Sequence, residues 1–479
     1  MSGKGVYKWT AIDRICNSVM TFGGNILLAN LLSPSDFGLL AMVAIFTALA
    51  YNISGCGMSD GLINKENPSD RDYSTVFFFN VSTGVVFCIA FIASSSLIAD
   101  YFGYEELKGI MIAIGICFFF QSMCLIQETK MRKELDFKKL AIVRLSATAS
   151  SLILAVILVL SGYSYWGLVS MQVFLSFFLF VYYILVSRWI PRLAFYRDSF
   201  KEMFGYGIHL MLAYICYQFA RNINTSVLGK YWQASAAGAY NQGQKLQEVP
   251  YSLIEAILNW PFFAVLSSTN DKAERRRLTA QMHSMIVFVN TGVTAFLFVV
   301  SSYTFRALYG AKWDASIPIF NILLIFGLAT ALKMFYQTIF KAHAMTKLIR
   351  NLTFVEVIAQ ICLLACFYDY SIEMIAFTTV IPSVAVLLVY IVYYIRVEEI
   401  DFGTFIREAG RPVLLPAAVL VLSLLTTAFW APDLNRFVAL PVVALIFAAI
   451  FIAVCEIVRP QPYLDLRARF VKNNNSADQ

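Results

Sequence analysis

The chain has 479 residues, of which 59% are hydrophobic and 14% are charged, against roughly 45–50% and about 25% in ordinary soluble domains. This composition excludes most soluble folds and favours a membrane protein if the apolar residues form long runs. The formal net charge is +7, but the basic residues form short clusters between apolar runs rather than one continuous patch. The charge therefore gives no reason to expect a nucleic-acid partner.

About fourteen apolar runs are long enough to cross a bilayer as helices. No segment has the alternating pattern of a membrane β-barrel strand, so the predicted fold class is an all-α integral membrane protein. The N-terminal run follows Lys4 and Lys8 without a small-residue cleavage site, and we interpret it as an uncleaved first span. In chain order the runs cover residues 9–32, 37–60, 76–99, 109–128, 140–161, 165–187, 205–229, 234–258, 280–303, 315–340, 351–368, 372–395, 412–431 and 437–458.

The distribution of cations between the runs predicts the topology. Lys and Arg are retained on the cytoplasmic side during insertion. If the N-terminus is cytoplasmic, most of the 37 Lys and Arg residues fall on the cytoplasmic side. Both termini are then predicted to be cytoplasmic, because the number of spans is even. The predicted outer loops hold only Lys108, Lys230, Arg306, Lys312 and Arg436.

Two interhelical turns indicate an internal repeat. Residues 31–38 join the first two runs, residues 231–238 join the seventh and eighth, and each turn ends in a glycine. Six runs separate the two turns, so both halves would have the same orientation, related by an axis along the membrane normal. The predicted domains are an N-terminal lobe at 1–200, a C-terminal lobe at 201–400, two additional helices at 401–460 and a cytoplasmic tail at 461–479.

Several motifs resemble the polysaccharide and oligosaccharide-lipid flippases of the multidrug/oligosaccharidyl-lipid/polysaccharide exporter superfamily. The resemblance covers nearly the whole chain. The motifs lie at residues 32–38, 237–241, 261–267 and 308–313, with Pro250 and Ile317–Pro318 as further matches.

The resemblance implies a fold and a function. The fold is two pseudo-symmetric six-helix lobes around a central cavity that opens to either face in turn, plus two C-terminal helices. The substrate is an undecaprenyl-pyrophosphate-linked glycan, moved across the bacterial cytoplasmic (inner) membrane for O-antigen, capsule or exopolysaccharide assembly. Polysaccharide assembly enzymes are the protein partners that it implies.

A pyrophosphate in a region of low dielectric needs fixed cations and hydrogen-bond donors. Arg221 is the strongest candidate, about 24 Å along the seventh span from its cytoplasmic end. It lies in a polar stretch with Gln218, Asn222 and Asn224. A cation that faces the cavity and an ion pair that packs helices together are the two interpretations of Arg221.

Three further cations within predicted spans are candidates for substrate binding. Arg14 continues a polar face of the first span that includes Asn25, and its alternative is snorkelling to the interface or pairing with Asp13. Lys245 either contacts substrate or pairs with Glu248 at i+3. Lys333 either faces the cavity or snorkels to the inner surface. Arg144 near the end of the fifth span is interpreted as snorkelling.

Energy coupling is assigned to carboxylates in or near spans, namely Glu248, Glu255 and Glu356, because a buried carboxylate can exchange a proton near neutral pH. A gradient of H⁺ or Na⁺, or the membrane potential, can drive transport on this interpretation. No phosphate-binding Gly-rich loop is present, and no cofactor is expected. His209, His283 and His343 lack metal-ligand spacing, so they are interpreted as packing or interfacial residues and no metal site is predicted.

Two other functions remain as alternatives. A multidrug or toxin exporter of the same superfamily would share the architecture, although cationic drugs favour an acidic or aromatic pocket. A membrane glycan polymerase or ligase generally needs a sizeable catalytic loop, and the predicted loops are short. A transporter rather than an enzyme is therefore expected.

Overall fold

The computed structural model describes residues 3–55, 58–187, 189–192, 195–259, 262, 266, 269, 271–343, 345–430, 436–465 and 467. Fourteen helices of at least 20 residues run through these parts of the chain. In chain order they are α1 Gly3–Leu31, α2 Pro34–Gly55, α3 Asp70–Phe102, α4 Glu106–Lys133, α5 Phe137–Leu160, α6 Trp166–Ser187, α7 Arg197–Tyr231, α8 Ala234–Ile254, α9 Lys272–Leu308, α10 Ser316–Ala342, α11 Thr346–Phe367, α12 Ile372–Val397, α13 Arg411–Trp430 and α14 Arg436–Val458.

The all-helical membrane class is confirmed, since the described residues contain no β-strand and 11 helical segments are long and apolar enough to cross a membrane. The three long helices outside that set are α1, α7 and α8. These three carry most of the polar residues that the sequence assigns to substrate binding, and each polar residue lowers the mean hydropathy of its helix. That α1, α7 and α8 also span the membrane stays a prediction.

Local signals in the sequence set where several helices begin. Ser33 and Asp36 form a reciprocal cap at the start of α2, in which Ser33 N donates to Asp36 Oδ2 (2.8 Å) and Asp36 N donates to Ser33 Oγ (3.3 Å). Pro34 occupies the first helical position, where its missing N–H costs nothing. Ser69 and Asp72 form the same kind of cap at the start of α3. The α1–α2 turn is therefore rigid.

The chain divides into two compact units, residues 1–241 and 242–479. In the first unit α3 packs on α4, α5 packs on α6, and α7 packs on α2. In the second unit α9 packs on α10 and α13, and α10 packs on α12. The repeat boundary at residue 200 stays a prediction, because compact units need not coincide with repeats. Here α7, which opens the predicted second repeat, packs within the first unit.

The two turns of the predicted repeat, at residues 31–38 and 231–238, cross each other within the first unit. A Cβ atom on Gly38 would overlap the backbone carbonyl of Ala234, and a Cβ atom on Gly238 would overlap the carbonyl oxygen of Pro34. The contact is reciprocal, because Gly38 meets Ala234 while Pro34 meets Gly238, and the two pairs of positions are 200 residues apart in the sequence. Only glycine allows the two backbones to approach this closely.

We expect Gly38→Ala to destabilise the protein by about 1–3 kcal/mol, because backbone atoms must separate to admit the new methyl group. Gly23→Ala is the matched control in α1, since a Cβ atom there meets nothing within 4 Å. Thermal unfolding of the purified full chain in detergent measures the difference. Equal stability of the two variants would show that the crossing tolerates a side chain.

Candidate functional site

The polar residues of α7 divide into two groups. Gln218, Arg221 and Asn222 are half-buried, and Asn222 Nδ2 donates to the Gln218 backbone oxygen (2.8 Å). Asn224 is buried and its Nδ2 donates to the hydroxyl of Tyr240 in α8 (3.0 Å). Asn224 therefore connects α7 to α8, whereas the first group retains accessible surface. The side-chain oxygen of Gln218 is buried and accepts no hydrogen bond from the described residues.

In α1 the polar residues point in different directions. Asp13 is buried and ion-pairs with Arg144 of α5 (3.2 Å). Asn17 Oδ1 accepts a hydrogen bond from Thr148 Oγ1, also in α5 (2.9 Å). These contacts fix one face of α1 against α5, while Arg14 is exposed and Asn25 is half-buried. Arg14 thus keeps an accessible guanidinium beside an anchored face.

Arg144 does not match its interpretation as a snorkelling cation. Its guanidinium bonds to Glu128 of α4 (2.5 Å) as well as to Asp13, and Tyr183 of α6 donates to the second oxygen of Glu128 (3.4 Å). The side chain of Arg144 is three-quarters buried. Two carboxylates within the bundle compensate its charge better than the interface would, so Arg144 holds helices together.

Lys333 and Glu356 are brought together by the structure. Lys333 is only 5% exposed, so it does not snorkel to the surface. Its ammonium ion-pairs with the Glu356 carboxylate and donates to Ser383 Oγ (2.7 Å). The three residues lie on α10, α11 and α12. One residue predicted for substrate and one predicted for coupling therefore form a single buried site.

The ion pairs of the two units have the same helix pattern with reversed polarity. In the first unit the acid Glu128 lies on α4 and the base Arg144 on α5. In the second unit the base Lys333 lies on α10 and the acid Glu356 on α11. The predicted repeat pairs α4 with α10 and α5 with α11. In each unit a third helix supplies a hydroxyl: Tyr183 on α6 donates to Glu128, and Ser383 on α12 accepts from Lys333. In both units an acid and a base thus meet between helices that the predicted repeat pairs, and in the first unit Asp13 and Arg132 join the ion pair.

The remaining candidates lie on and after α8. Lys245 is exposed and Glu248 is half-buried. Gln244 Nε2 donates to Glu248 Oε1 (3.3 Å). Glu255 begins a π-helical turn, Glu255–Asn259, that directly follows α8. Turns of this kind occur frequently at functional sites because they displace one residue from the regular hydrogen-bond ladder.

A buried polar network in the second unit was not predicted from the sequence. Glu408 ion-pairs with Arg276 and accepts a hydrogen bond from the Tyr394 hydroxyl (3.1 Å). His283 is fully buried, with Nδ1 3.3 Å from Glu408 Oε2 and Nε2 2.9 Å from the Tyr336 hydroxyl. The network ties together α9, α10, α12 and the π-helical segment Ile406–Gly410 that precedes α13.

Only one sign of this network is visible in the sequence, a histidine inside a predicted span. Arg276 lies before the predicted ninth span, and Glu408 lies 132 positions from it. His343 pairs with Glu398 (3.3 Å), and the side chain of His209 lies outside the described residues. The interpretation of His283 as a packing residue misses its hydrogen bonds to two other helical segments.

We expect Glu408→Gln to destabilise the protein by about 3 kcal/mol, because the Arg276 guanidinium would lose its anionic partner inside the network. Glu399→Gln is the matched control, since the side chain of Glu399 is 79% exposed. Chemical denaturation of the purified protein measures both. A loss for Glu408→Gln no larger than for Glu399→Gln would show that the network does not support the fold.

Several proteins are similar in sequence to about two thirds of this chain. The teichuronic acid biosynthesis protein TuaB of Bacillus subtilis (strain 168) is 24% identical over 328 residues, which cover 68% of each chain. The lipopolysaccharide biosynthesis protein WzxC of Escherichia coli (strain K12) is 26% identical over 332 residues, which cover 67% of this chain and 66% of WzxC. The succinoglycan biosynthesis transport protein ExoT of Rhizobium meliloti (strain 1021) is 19% identical over 319 residues, or 66% of this chain and 64% of ExoT. The matches thus span about two thirds of these relatives.

Two solved structures have the same fold. The lipid II flippase MurJ in an inward closed conformation superposes with a TM-score of 0.73 at 16% identity, over 94% of this chain and 99% of MurJ. An inward-facing multidrug resistance MATE family transporter of the MOP superfamily superposes with a TM-score of 0.62 at 12% identity, over 80% of this chain and 94% of the transporter. The family model for polysaccharide biosynthesis proteins matches residues 27–318. This multi-pass membrane protein therefore belongs to the polysaccharide biosynthesis protein family.

Proposed function

We propose that this protein moves an undecaprenyl-pyrophosphate-linked oligosaccharide from the cytoplasmic to the outer leaflet of the bacterial inner membrane by alternating access. The family match over residues 27–318 carries the proposal, and the flippase fold supports it. Both termini lie in the cytoplasm, and the turns at 31–38 and 231–238 lie on the outer side. The flipped glycan then passes to the enzymes that assemble a surface polysaccharide.

The cations of α1 and α7 bind the pyrophosphate in this proposal. Arg221 is the principal ligand, because a guanidinium presents several donors to phosphate oxygens at once. Arg14, an exposed side chain of α1, is a further ligand, and Lys245, exposed in the second unit, is a separate candidate for substrate contact. The buried side-chain oxygen of Gln218 accepts a hydroxyl of the glycan. Lys333 is excluded from this set, since Glu356 already neutralises it.

Coupling to H⁺, Na⁺ or the membrane potential is assigned to Glu356, with Glu248 and Glu255 as further candidates. A proton or Na⁺ that binds Glu356 would release the Lys333 ammonium and change the contacts among α10, α11 and α12. The three helices meet at this pair, so a local change of charge acts on all three. The pair is thus suited to link ion binding to a rearrangement within the second unit.

Export of drugs or toxins is the second candidate function, since the chain shares the MATE transporter fold. Deletion of the gene distinguishes the two. We expect the deletion strain to accumulate a lipid-linked oligosaccharide in the inner leaflet, as detected by a membrane-impermeant oxidant of sugars or a lectin in sealed vesicles. Unchanged surface glycan together with raised sensitivity to cationic drugs would instead establish the exporter function.

A further inference from the structure

A cavity of about 340 Å³ opens on the first unit where four interhelical turns meet. Its volume falls in the range of roughly 300–1,000 Å³ that is typical of small-ligand pockets. The α1–α2 turn contributes Asp36, the α3–α4 turn Tyr104 and Glu106, the α5–α6 turn Tyr165 and the α7–α8 turn Gln233. The proposed topology places all four turns on the outer side of the membrane.

The walls of the cavity are held by contacts between different turns. Asp36 accepts hydrogen bonds from Ser33 Oγ (2.6 Å) and from Ser164 Oγ of the α5–α6 turn (2.7 Å). Ser164 adopts a left-handed backbone with φ of 39°, which is strained for a residue with a Cβ atom. Ala234 N donates to the Tyr104 hydroxyl (3.0 Å). The cavity is thus organised before any ligand binds.

The lining combines carboxylates, phenols and an amide, and it includes no lysine or arginine. Carboxylates accept hydrogen bonds from hydroxyl pairs, and the amide of Gln233 both donates and accepts. A phenol ordinarily titrates at about pH 10, so the Tyr165 hydroxyl is a neutral donor at physiological pH. A phosphate would be repelled by Asp36 and Glu106, whereas uncharged polyhydroxyl groups match the lining.

We propose that this cavity is a saccharide-binding site that takes a sugar ring of the glycan on the outer side of the membrane. The inference rests on the proposed function, and it places this sugar ring apart from the pyrophosphate and from the glycan hydroxyl assigned to Gln218. Asp36 and Gln233 belong to the two turns that cross at Gly38 and Gly238. A sugar bound here therefore contacts both turns and stabilises their crossing.

Calorimetric titration of the purified full chain tests the site. The probe is the oligosaccharide released by mild acid from the lipid-linked glycan of the deletion strain. We expect wild-type protein to bind it and Glu106→Gln to weaken binding about tenfold, the effect of one lost hydrogen bond to a charged group. Glu105→Gln is the matched control, because Glu105 is the exposed neighbour of Glu106 and does not line the cavity. Gln233→Ala is a second variant at the exposed rim, expected to weaken binding several-fold.

Undecaprenyl phosphate without sugar separates the two proposed sites. We expect Glu106→Gln to leave the binding of this lipid unchanged, since its phosphate does not occupy the cavity. The saccharide site would be overturned if wild type did not bind the oligosaccharide, or if Glu105→Gln weakened binding as much as Glu106→Gln. In either case, accumulation of lipid-linked glycan in the inner leaflet would still support the flippase proposal. A deletion strain that accumulates no lipid-linked glycan would overturn the flippase proposal and this site with it.

Discussion

Replacement of Arg221 by glutamine is expected to abolish export of the lipid-linked glycan while the protein still inserts in the membrane. Removing one partner of a charged hydrogen bond in a desolvated site costs roughly 2–5 kcal/mol of binding free energy. A loss of about 1.4 kcal/mol corresponds to a tenfold change in the binding constant. We therefore expect at least a tenfold loss of translocation. The measurement is the fraction of lipid-linked glycan accessible from each side of sealed vesicles.

Two variants control for this result. Arg197→Gln makes the same change on the same helix, at the exposed first residue of α7, and should leave translocation unchanged. Arg221→Lys keeps the charge but loses the planar donor pair, so partial activity is expected. Full activity of Arg221→Gln at normal protein level would remove Arg221 from the mechanism and favour its alternative role in helix packing.

The Lys333–Glu356 pair is the second position with a large expected effect. Lys333→Met alone should destabilise the protein by about 3–5 kcal/mol, because it leaves the Glu356 carboxylate without its cation. The double variant Lys333→Met with Glu356→Met should recover most of that loss, since buried ion pairs are often replaceable by apolar residues of similar size. Chemical denaturation of wild type, Lys333→Met, Glu356→Met and the double variant completes a double-mutant cycle.

Translocation by the double variant then separates the two roles of the pair. A stable double variant without translocation would assign the pair to energy coupling, as proposed. A stable double variant with normal translocation would assign it to helix packing alone and leave Glu248 and Glu255 as the coupling candidates. Thr378→Val, at another buried hydroxyl of α12, controls for general loss of polar groups in that helix.

Hydropathy predicted the helices well, and its errors at their ends have a physical cause. The second span was predicted to begin at residue 37, whereas α2 begins at Pro34 because its cap lies before the apolar run. The ninth was predicted to begin at residue 280, whereas α9 begins at Lys272. A hydropathy window detects the part of a helix that suits lipid, and charged helical turns outside that part escape it.

The contacts within the candidate sites could not be predicted in the same way. Arg144 meets Asp13 from 131 positions away and Arg276 meets Glu408 from 132 positions away. A single sequence gives the cost of placing each charge in a span, but it does not identify the partner that offsets the cost. Arg144 and Lys333 were for that reason interpreted one at a time, and neither snorkelling for Arg144 nor the two alternatives for Lys333 included the carboxylates that they meet.

The reversed polarity of the ion pairs on α4–α5 and α10–α11 affects how ancient duplications can be recognised. An alignment that follows the predicted repeat sets α4 against α10 and α5 against α11, and opposite charges on these helices count as mismatches. An ion pair between two helices compensates both charges whichever helix carries the acid. A search for charge pairing between equivalent helices, instead of residue identity, can therefore detect duplicated membrane proteins whose halves no longer share residues.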